Sequence, residues 1–225
     1  MVIITSQYVL MVMIERGPGA ILVVEYGAAW WVTYSMEAES SRPPAPGALA
    51  LVQAFVNTYD VEPHREELKS PEALRAWLVD HGLLHNGEPL SDADLQRALE
   101  AREALRALLE ANNGATVAAA PVTALNRIAD GARLRVQFER DGHAQLAPVA
   151  RGVDTALGRL LAIVYTAMAE GTWVRLKVCR NEACRWAFYD YSKNRSGAWC
   201  TMAVCGSRSK ARTYRQRRRR NSGAV

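Results

Sequence analysis

Apolar residues recur at helical spacing in five segments of the chain, and each of these segments predicts a helix. Boundary residues support the prediction. Ser70-Pro71-Glu72 offers a serine cap, a proline at the first helical position and an acid in the first turn. Ser91 to Asp94 repeats this capping pattern, and Gly171 stands where the last helix would end. The predicted helices cover residues 48–58, 70–82, 91–112, 121–130 and 153–170.

Two further segments alternate between apolar and polar residues, which is typical of strands. Leu134 to Phe138 alternates and is followed by Asp141-Gly142, a strong hairpin signal. Trp173 to Val178 alternates apolar with mainly basic residues and leads directly to Cys179. The pattern therefore indicates an α+β fold, in which a mostly helical N-terminal domain with a small β-hairpin precedes a small C-terminal module.

Residues 1–35 are apolar and rich in β-branched and aromatic side chains, and a polar, proline-rich segment follows from Met36. One hypothesis is that translation begins at Met36, so that residues 1–35 are an upstream extension. The alternative is a short hairpin with Gly17-Pro18-Gly19 as its turn. We find no basic start or small-residue cleavage site of an export signal. No stretch reaches the roughly 18–20 apolar residues that a membrane span requires.

Charge is divided unevenly along the 225 residues, whose formal net charge is +5. Residues 173–225 contain 14 Lys or Arg residues against 2 acidic ones, a net charge of +12, whereas residues 1–172 have a net charge of −7. Such a cationic segment is typical of proteins that bind nucleic acid. The division also favours two domains. A basic segment this small cannot build a large hydrophobic core, so it would need additional stabilisation such as a bound metal ion in order to fold.

The only four cysteines form two matched Cys-x4-Cys pairs, Cys179/Cys184 and Cys200/Cys205, with fifteen residues between the pairs. Four thiolates at such spacing predict one structural Zn²⁺, because zinc favours closed tetrahedral sites with soft ligands. Spacing alone leaves two alternatives open: two disulfides in a secreted protein, and an iron–sulfur cluster. The missing export signal favours a metal in a cytoplasmic protein.

The residues around the cysteines suggest a mini-core and a phosphate-binding helix. Trp186, Phe188 and Trp199 are expected to pack around the metal, and Tyr191 in the following turn could instead stack on an unpaired base. After Cys205, basic residues fall at i, i+4, i+7 and i+11, which gives one helical face a continuous positive charge. A solvated, frayed tail is the alternative. The candidate nucleic-acid contacts are Lys193, Asn194, Arg195, Arg208, Lys210, Arg212, Arg215, Arg217, Arg218, Arg219 and Arg220.

These motifs resemble the CGNR zinc finger of bacterial proteins. The resemblance rests on Cys-Arg-Asn-x-x-Cys at 179–184, the aromatic-Tyr-Asp-x-Ser-Lys-Asn-x-Ser block at 188–196, Trp-Cys-x-Met-x-x-Cys-Gly-x-Arg-x-Lys at 199–210, and a Tyr-Arg-x-Arg tail from Tyr214. Ser207 replaces the asparagine of the name-giving motif. Upstream, residues 46–58 are similar to the opening of the ABATE domain that commonly precedes this finger.

The resemblance implies a stress-related transcription regulator with a DNA-binding finger and an N-terminal domain that senses a ligand. It also implies a treble-clef-like finger, in which a knuckle and a hairpin precede a helix with Cys200 and Cys205 near its start. The expected domains are an ABATE-like domain at 46–172 and a CGNR-like finger with a basic helix at 173–220. Residues 1–45 would be a disordered or upstream extension, and 221–225 a tail.

The leading hypothesis is thus a cytoplasmic, nucleoid-associated regulator that binds double-stranded DNA, with a small-molecule ligand and a homodimer as further expectations and no membrane association. The alternative is an RNA- or polyanion-binding module. We expect no enzymatic activity, because we find no phosphate-binding glycine loop or nucleophile elbow. His81 and His85 have i, i+4 spacing but lie at a predicted helix end. Asn57 and Thr58 could line a ligand pocket, or could satisfy buried backbone groups.

Overall fold

A computed structural model describes residues 3–6, 9–15, 20–25, 32–35, 43–85 and 87–222, and side chains only within 43–85 and 87–216. The chain forms two compact units, residues 1–41 and residues 42–225.

The N-terminal unit contains an antiparallel sheet with strand order β1-β2-β3-β4. The strands are β1 (Ile3–Ser6), β2 (Val9–Glu15), β3 (Ala20–Glu25) and β4 (Val32–Ser35). β2 and β3 pair from Leu10↔Glu25 to Glu15↔Ala20. This pair corresponds to the hairpin alternative, whose turn at Gly17-Pro18-Gly19 lies outside the described residues. The start at Met36 and the boundary of an extension at residue 45 stay predictions.

The second unit contains six helices and three two-stranded antiparallel sheets among its described residues. Their composition confirms the predicted α+β class. The helices are α1 (Leu49–Asn57), α2 (Pro71–Asp80), α3 (Asp92–Ala111), α4 (Ala119–Ala132), α5 (Gly152–Ala169) and α6 (Ser207–Ser222). The strands are β5 (Tyr59–Asp60), β6 (Arg65–Glu66), β7 (Arg135–Phe138), β8 (Ala144–Ala147), β9 (Leu176–Val178) and β10 (Ala187–Tyr189).

The predicted helix starts are confirmed by their hydrogen bonds. Ser70 Oγ accepts the backbone N–H of Ala73 at 3.2 Å. Ser91 and Asp94 form a capping box, in which each side chain accepts the other residue's backbone N–H. α4 is longer than predicted, since it begins at Ala119 rather than at Pro121. Proline is tolerated there because N–H groups of the first turn have no acceptor within the helix.

The core of this unit lies between α1, α3, α4 and α5. Phe55, Leu105, Leu109, Leu157 and Leu160 are almost completely buried in it. By length and composition alone α5 could also cross a membrane, and 39% of it is buried. Its buried residues, which include Val153, Leu157 and Leu160, belong to the core that it shares with the other helices.

Strands β9 and β10 belong to the same core. Leu176, Val178, Ala187 and Tyr189 join the hydrophobic cluster of the helices. Only the second half of the predicted 173–178 strand is extended, because residues Trp173–Arg175 form a 3₁₀ turn that buries the Trp173 ring. The hydrophobic core thus continues past residue 172, into the segment that holds the cysteines.

Candidate metal centre and nucleic-acid interface

The four cysteines meet at one point of the fold. Cys179 follows β9 and Cys184 precedes β10, so the antiparallel pairing of the two strands brings both thiols together. Cys200 precedes, and Cys205 lies within, a short π-helical turn (Met202–Gly206) that leads into α6. The four are not joined by disulfides, and their sulfur atoms lie within 4.8 Å of one another.

The spacing of these sulfur atoms fits a tetrahedral cation. Cys200 Sγ lies 3.6 Å from Cys184 Sγ and 3.6 Å from Cys205 Sγ. Four thiolates with Zn–S bonds of about 2.3 Å would stand about 3.8 Å apart around zinc. A disulfide would require about 2.05 Å between two sulfur atoms. The arrangement therefore fits one structural Zn²⁺ and differs from the disulfide alternative.

The electrostatics of the cluster point to the same conclusion. Hydrogen bonds from Cys184 and Cys200 lower the pKa of Cys179 to about 2, while the same contact with Cys179 raises the pKa of Cys184 to about 12. The pKa of Cys200 is also raised, because it too faces the Cys179 thiolate. Once one thiol of the cluster is ionised, its negative charge opposes the deprotonation of the others. A bound divalent cation offsets this repulsion and allows all four thiols to ionise.

Asn181 organises the first cysteine pair. Its carbonyl accepts the N–H groups of Cys184 at 2.8 Å and Arg185 at 3.0 Å, which closes the knuckle, and its side-chain Nδ2 donates to Cys205 Sγ at 3.7 Å. Arg185 has a left-handed backbone with φ 48°, as the tight turn requires. Hydrogen bonds to ligand sulfur orient metal sites. Sequence reasoning treated Asn181 only as part of a motif.

The aromatic residues around the cysteines form the predicted mini-core. Phe188 is buried against the thiols, and Trp186 and Trp199 pack on the same cluster while remaining partly exposed. Tyr191 is instead half exposed, and its hydroxyl donates to the carbonyl of Pro44 at 2.6 Å. A stacking role for Tyr191 stays a prediction.

A buried ion pair holds the loop between β10 and Cys200. Lys177 Nζ lies 2.8 Å from Asp190 Oδ2, and both side chains are nearly inaccessible to solvent. Burial would raise the pKa of Asp190, but hydrogen bonds from Lys177, Ser192 and the Gly197 N–H lower it well below its ordinary range. Lys177 also donates to the carbonyls of Arg195 and Gly197. In the sequence Asp190 was only one position of the 188–196 motif, and sequence reasoning missed this pair.

The loop presents three of the predicted nucleic-acid contacts to solvent. Lys193, Asn194 and Arg195 are all exposed, and Arg195 has a left-handed backbone with φ 53°. Because Asp190 and Lys177 tie down both ends of this loop, its exposed side chains are carried on a fixed backbone.

Helix α6 follows the metal centre directly, and nearly all of its residues from 207 to 216 are exposed. Arg208, Lys210, Arg212 and Arg215 are exposed on it. Arg208 also pairs with Glu62, an exposed acid before β6. Four predicted contacts lie on the described backbone of α6, but their side chains lie outside the described residues: Arg217, Arg218, Arg219 and Arg220.

Polar side chains dock the metal centre onto α1 and α3. Asn57 Oδ1 accepts the N–H of Ala187 at 2.8 Å, while its Nδ2 donates to the Ala187 carbonyl at 2.9 Å. Asn112 Nδ2 donates to the carbonyls of Trp173 and Leu176, each at 2.9 Å, and Asn113 Nδ2 to that of Val178 at 2.8 Å. Asn57 thus satisfies backbone groups, which was the second sequence interpretation.

Arg106 connects the helical core to the knuckle. Its side chain is completely buried, and its guanidinium donates to the carbonyls of Val56, Tyr59 and Arg185 at 2.6, 3.1 and 2.8 Å. Glu103 is its ionic partner at 3.1 Å. No sequence motif marked this arginine, because its acceptors are backbone carbonyls from distant segments.

A cavity of about 780 Å³ opens beside helix α5. It lies between the start of α1, the end of α2, β8 and α5. Its walls are mainly apolar, with Leu51, Leu146, Ala162 and Ile163 among them, and Arg159 and Glu170 add one cationic and one acidic group. His81 lies at its rim with its ring stacked 3.9 Å from that of Trp77.

Two protein families match consecutive segments of the chain. Residues 38–171 match ABATE, described as "Putative stress-induced transcription regulator". The chain belongs to the ABATE family. Residues 175–218 match the CGNR zinc finger, in the order that the sequence predicted, and this match together with the cysteine cluster confirms the zinc cofactor. No curated protein matches the chain. Neither family description names an enzymatic activity.

Proposed function

We propose that this ABATE-family protein is a bacterial, cytoplasmic, DNA-binding transcription regulator without enzymatic activity. The observation that carries the proposal is α6, an exposed cationic helix that begins directly behind the four-cysteine centre. In this proposal Cys179, Cys184, Cys200 and Cys205 hold one structural zinc. The zinc fixes the start of α6, and the helix binds the phosphate backbone of double-stranded DNA.

The charge and exposure of the finger support this role. Arg208, Lys210, Arg212 and Arg215 are exposed cations, and they can release counterions from DNA when they contact phosphates. The loop residues Asn194 and Arg195 are the candidates for base contacts, since asparagine pairs with adenine and arginine with guanine in the major groove.

Salt dependence of DNA binding tests the proposal. The full zinc-loaded chain should bind duplex DNA with an affinity that falls steeply as salt rises. The double variant Arg212→Gln/Arg215→Gln should reduce the slope of log K against log salt by about 0.9 for each phosphate that the helix no longer neutralises. Arg140→Gln, which removes an exposed arginine at the β7–β8 turn, is the matched control and should leave the slope unchanged. An unchanged slope in the α6 variant would contradict the proposal.

RNA or general polyanion binding is the second candidate for the same surface, because phosphate contacts alone do not select DNA. Competition at matched salt between duplex DNA of random sequence, folded RNA and heparin separates the two. A regulator should select particular duplex sequences from a random pool, and should lose that selection after zinc chelation. Equal competition by all three polymers would favour the polyanion module.

We also propose that the cavity beside α5 binds a small amphipathic molecule, since its walls are mainly apolar and carry one cationic and one acidic side chain, Arg159 and Glu170. Anilinonaphthalene sulfonate serves as a probe. Its fluorescence should rise with the full chain, and Ala162→Trp, which fills the cavity, should reduce binding at least several-fold. Val122→Trp on exposed α4 is the control. Equal dye binding by both variants would reject this site.

A further inference from the structure

Strand β7 forms an exposed apolar edge of the molecule. All four of its residues are exposed, and Phe138, at 77%, is the most exposed large apolar side chain among the described residues. Val136 on the same face is 59% exposed. We propose that β7 is a dimerisation strand, which pairs antiparallel with β7 of a second copy of this chain. No residue of β7 is a predicted metal ligand or nucleic-acid contact, so the inference goes beyond the proposed DNA binding and does not depend on it.

The hydrogen bonds of the β7–β8 hairpin identify the free edge of β7. Glu139 N–H donates to the carbonyl of His143 at 2.8 Å, which makes these two residues a hydrogen-bonded pair. Because such pairs alternate in antiparallel sheets, Gln137 also faces β8, whereas the N–H and C=O groups of Val136 and Phe138 point away from it. Within 43–85 and 87–222, no hydrogen bond occupies those outward groups.

In one register, antiparallel pairing of β7 with β7 of a second copy provides partners for the outward N–H and C=O groups of Val136 and Phe138. A twofold axis at Gln137 places Val136 opposite Phe138 of the second copy, and Phe138 opposite the second Val136. Both pairs are then hydrogen-bonded pairs, which use the outward N–H and C=O groups on each strand. The same register places Arg135 opposite Glu139 of the second copy, on the other face of the sheet.

Chemical complementarity in this register favours a second copy over an unrelated strand. Aromatic–β-branched pairs and opposite charges are stabilising cross-strand neighbours, and here both occur twice around the axis. A twofold interface requires such a self-complementary patch. Pairing would also extend the two-stranded β7–β8 hairpin into a four-stranded sheet and cover the exposed edge of β7.

Cysteine trapping tests the register directly. In the proposed dimer the two Gln137 residues face each other as a non-hydrogen-bonded pair with Cα atoms about 4.5 Å apart, close enough for a disulfide. The zinc-loaded full chain with Gln137→Cys should therefore form a covalent dimer under mild oxidation, without DNA. Arg135→Cys is the matched control on the same strand face. The two residues 135 would be offset by about 13 Å along the strands and should crosslink at least tenfold more slowly.

Charge reversal provides a second test that needs no new thiol. Arg135→Glu alone should place like charges opposite each other and raise the dimer dissociation constant measured by sedimentation at least several-fold. Glu139→Arg alone should act in the same way, and the double variant Arg135→Glu/Glu139→Arg should restore dimerisation.

Three results would overturn the proposal: a monomer at about 100 μM by sedimentation, equal crosslinking of both cysteine variants, or no restoration in the double variant. Phe138→Pro removes an outward N–H without touching the β8 ladder, and Ala144→Pro does the same on the opposite edge of the hairpin. Loss of the dimer in the first variant and its persistence in the second would support the assignment. The salt dependence of DNA binding tests α6 rather than the β7–β8 hairpin, so it can be interpreted whether or not the dimer forms.

Discussion

At the scale of single residues, the buried Asp190–Lys177 pair is the feature on which the finger loop depends. Asp190 accepts hydrogen bonds from Lys177, Ser192 and Gly197, so both ends of the loop converge on one carboxylate. Such a pair adds little stability over an apolar pair, but removing one member leaves a buried charge without its partner. The pair therefore fixes a single loop conformation.

Asp190→Asn should lower the free energy of unfolding by about 3–5 kcal/mol, because the buried Lys177 ammonium loses its counter-ion. Urea unfolding of the zinc-loaded chain measures the change. The double variant Lys177→Met/Asp190→Asn should lose less than the sum of the two single variants, since it removes the unpaired charge. Additive losses would show that the two side chains do not interact.

Gly197 and Gly206 should respond differently to substitution by alanine. A Cβ at Gly197 would lie 2.7 Å from the Asp190 carboxylate, which its hydrogen bonds hold in place. A Cβ at Gly206 would lie 2.8 Å from the Met202 sulfur, but this side chain is half exposed and can move. Gly197→Ala should therefore lower the melting temperature by several degrees, and Gly206→Ala by much less. Equal melting temperatures would contradict the role assigned to Asp190.

The same residues mark the limit of sequence reasoning at this scale. The cysteines could be predicted as a metal site, because their spacing is local and their chemistry is specific. The ion pair of Asp190 could not be predicted, since its partner Lys177 lies on a strand thirteen positions earlier. The role of Arg106 could not be predicted from the sequence. Its hydrogen-bond acceptors are backbone carbonyls, which every residue has, so they leave no sequence pattern.

At the scale of secondary-structure elements, local signals predicted the helices well. The capping hydrogen bonds of Ser70 and Ser91 join residues only three positions apart. Both partners therefore lie in one short segment, where a sequence pattern can identify them. The segment 173–178 was harder, because alternation is compatible with both a strand and the observed 3₁₀ turn followed by a strand. Burial of the Trp173 ring decides the outcome, and it depends on the core rather than on neighbouring residues.

Arg106 in α3 should be the most sensitive contact between the helices and the finger. Arg106→Met would leave buried carbonyls of Val56 and Arg185 without donors, at about 1–3 kcal/mol each. We expect a loss of several kcal/mol in unfolding free energy and weaker zinc retention in competition with a chelator. Arg97→Met on the same helix removes a half-exposed arginine and should cost less than about 1 kcal/mol. Similar losses for both variants would reject the assignment.

At the scale of the whole molecule, the charge and the core divide the chain differently. Charge separates an acidic part from a cationic C-terminal segment, and this contrast favoured two domains in the sequence. Packing joins them, because β9 and β10 contribute buried residues to the cluster of α1 and α3. The domain boundary near residue 172 stays a prediction, and the hydrophobic cluster of the second unit includes residues on both sides of it.

Zinc removal should consequently destabilise more than the finger. Zinc on four thiolates contributes about 10–16 kcal/mol to the folding of small finger peptides at neutral pH. Without it the Cys179–Cys184 knuckle that joins β9 to β10 loses its constraint, and the core loses strands that Asn57 and Asn113 hold in place. We expect the chelated full chain to melt at a lower temperature in one transition, with faster amide hydrogen exchange in α1 and α3 as well as in the finger. Zinc should restore both properties. Unchanged exchange in α1 and α3 after chelation would show instead that the helical part folds independently of the metal centre.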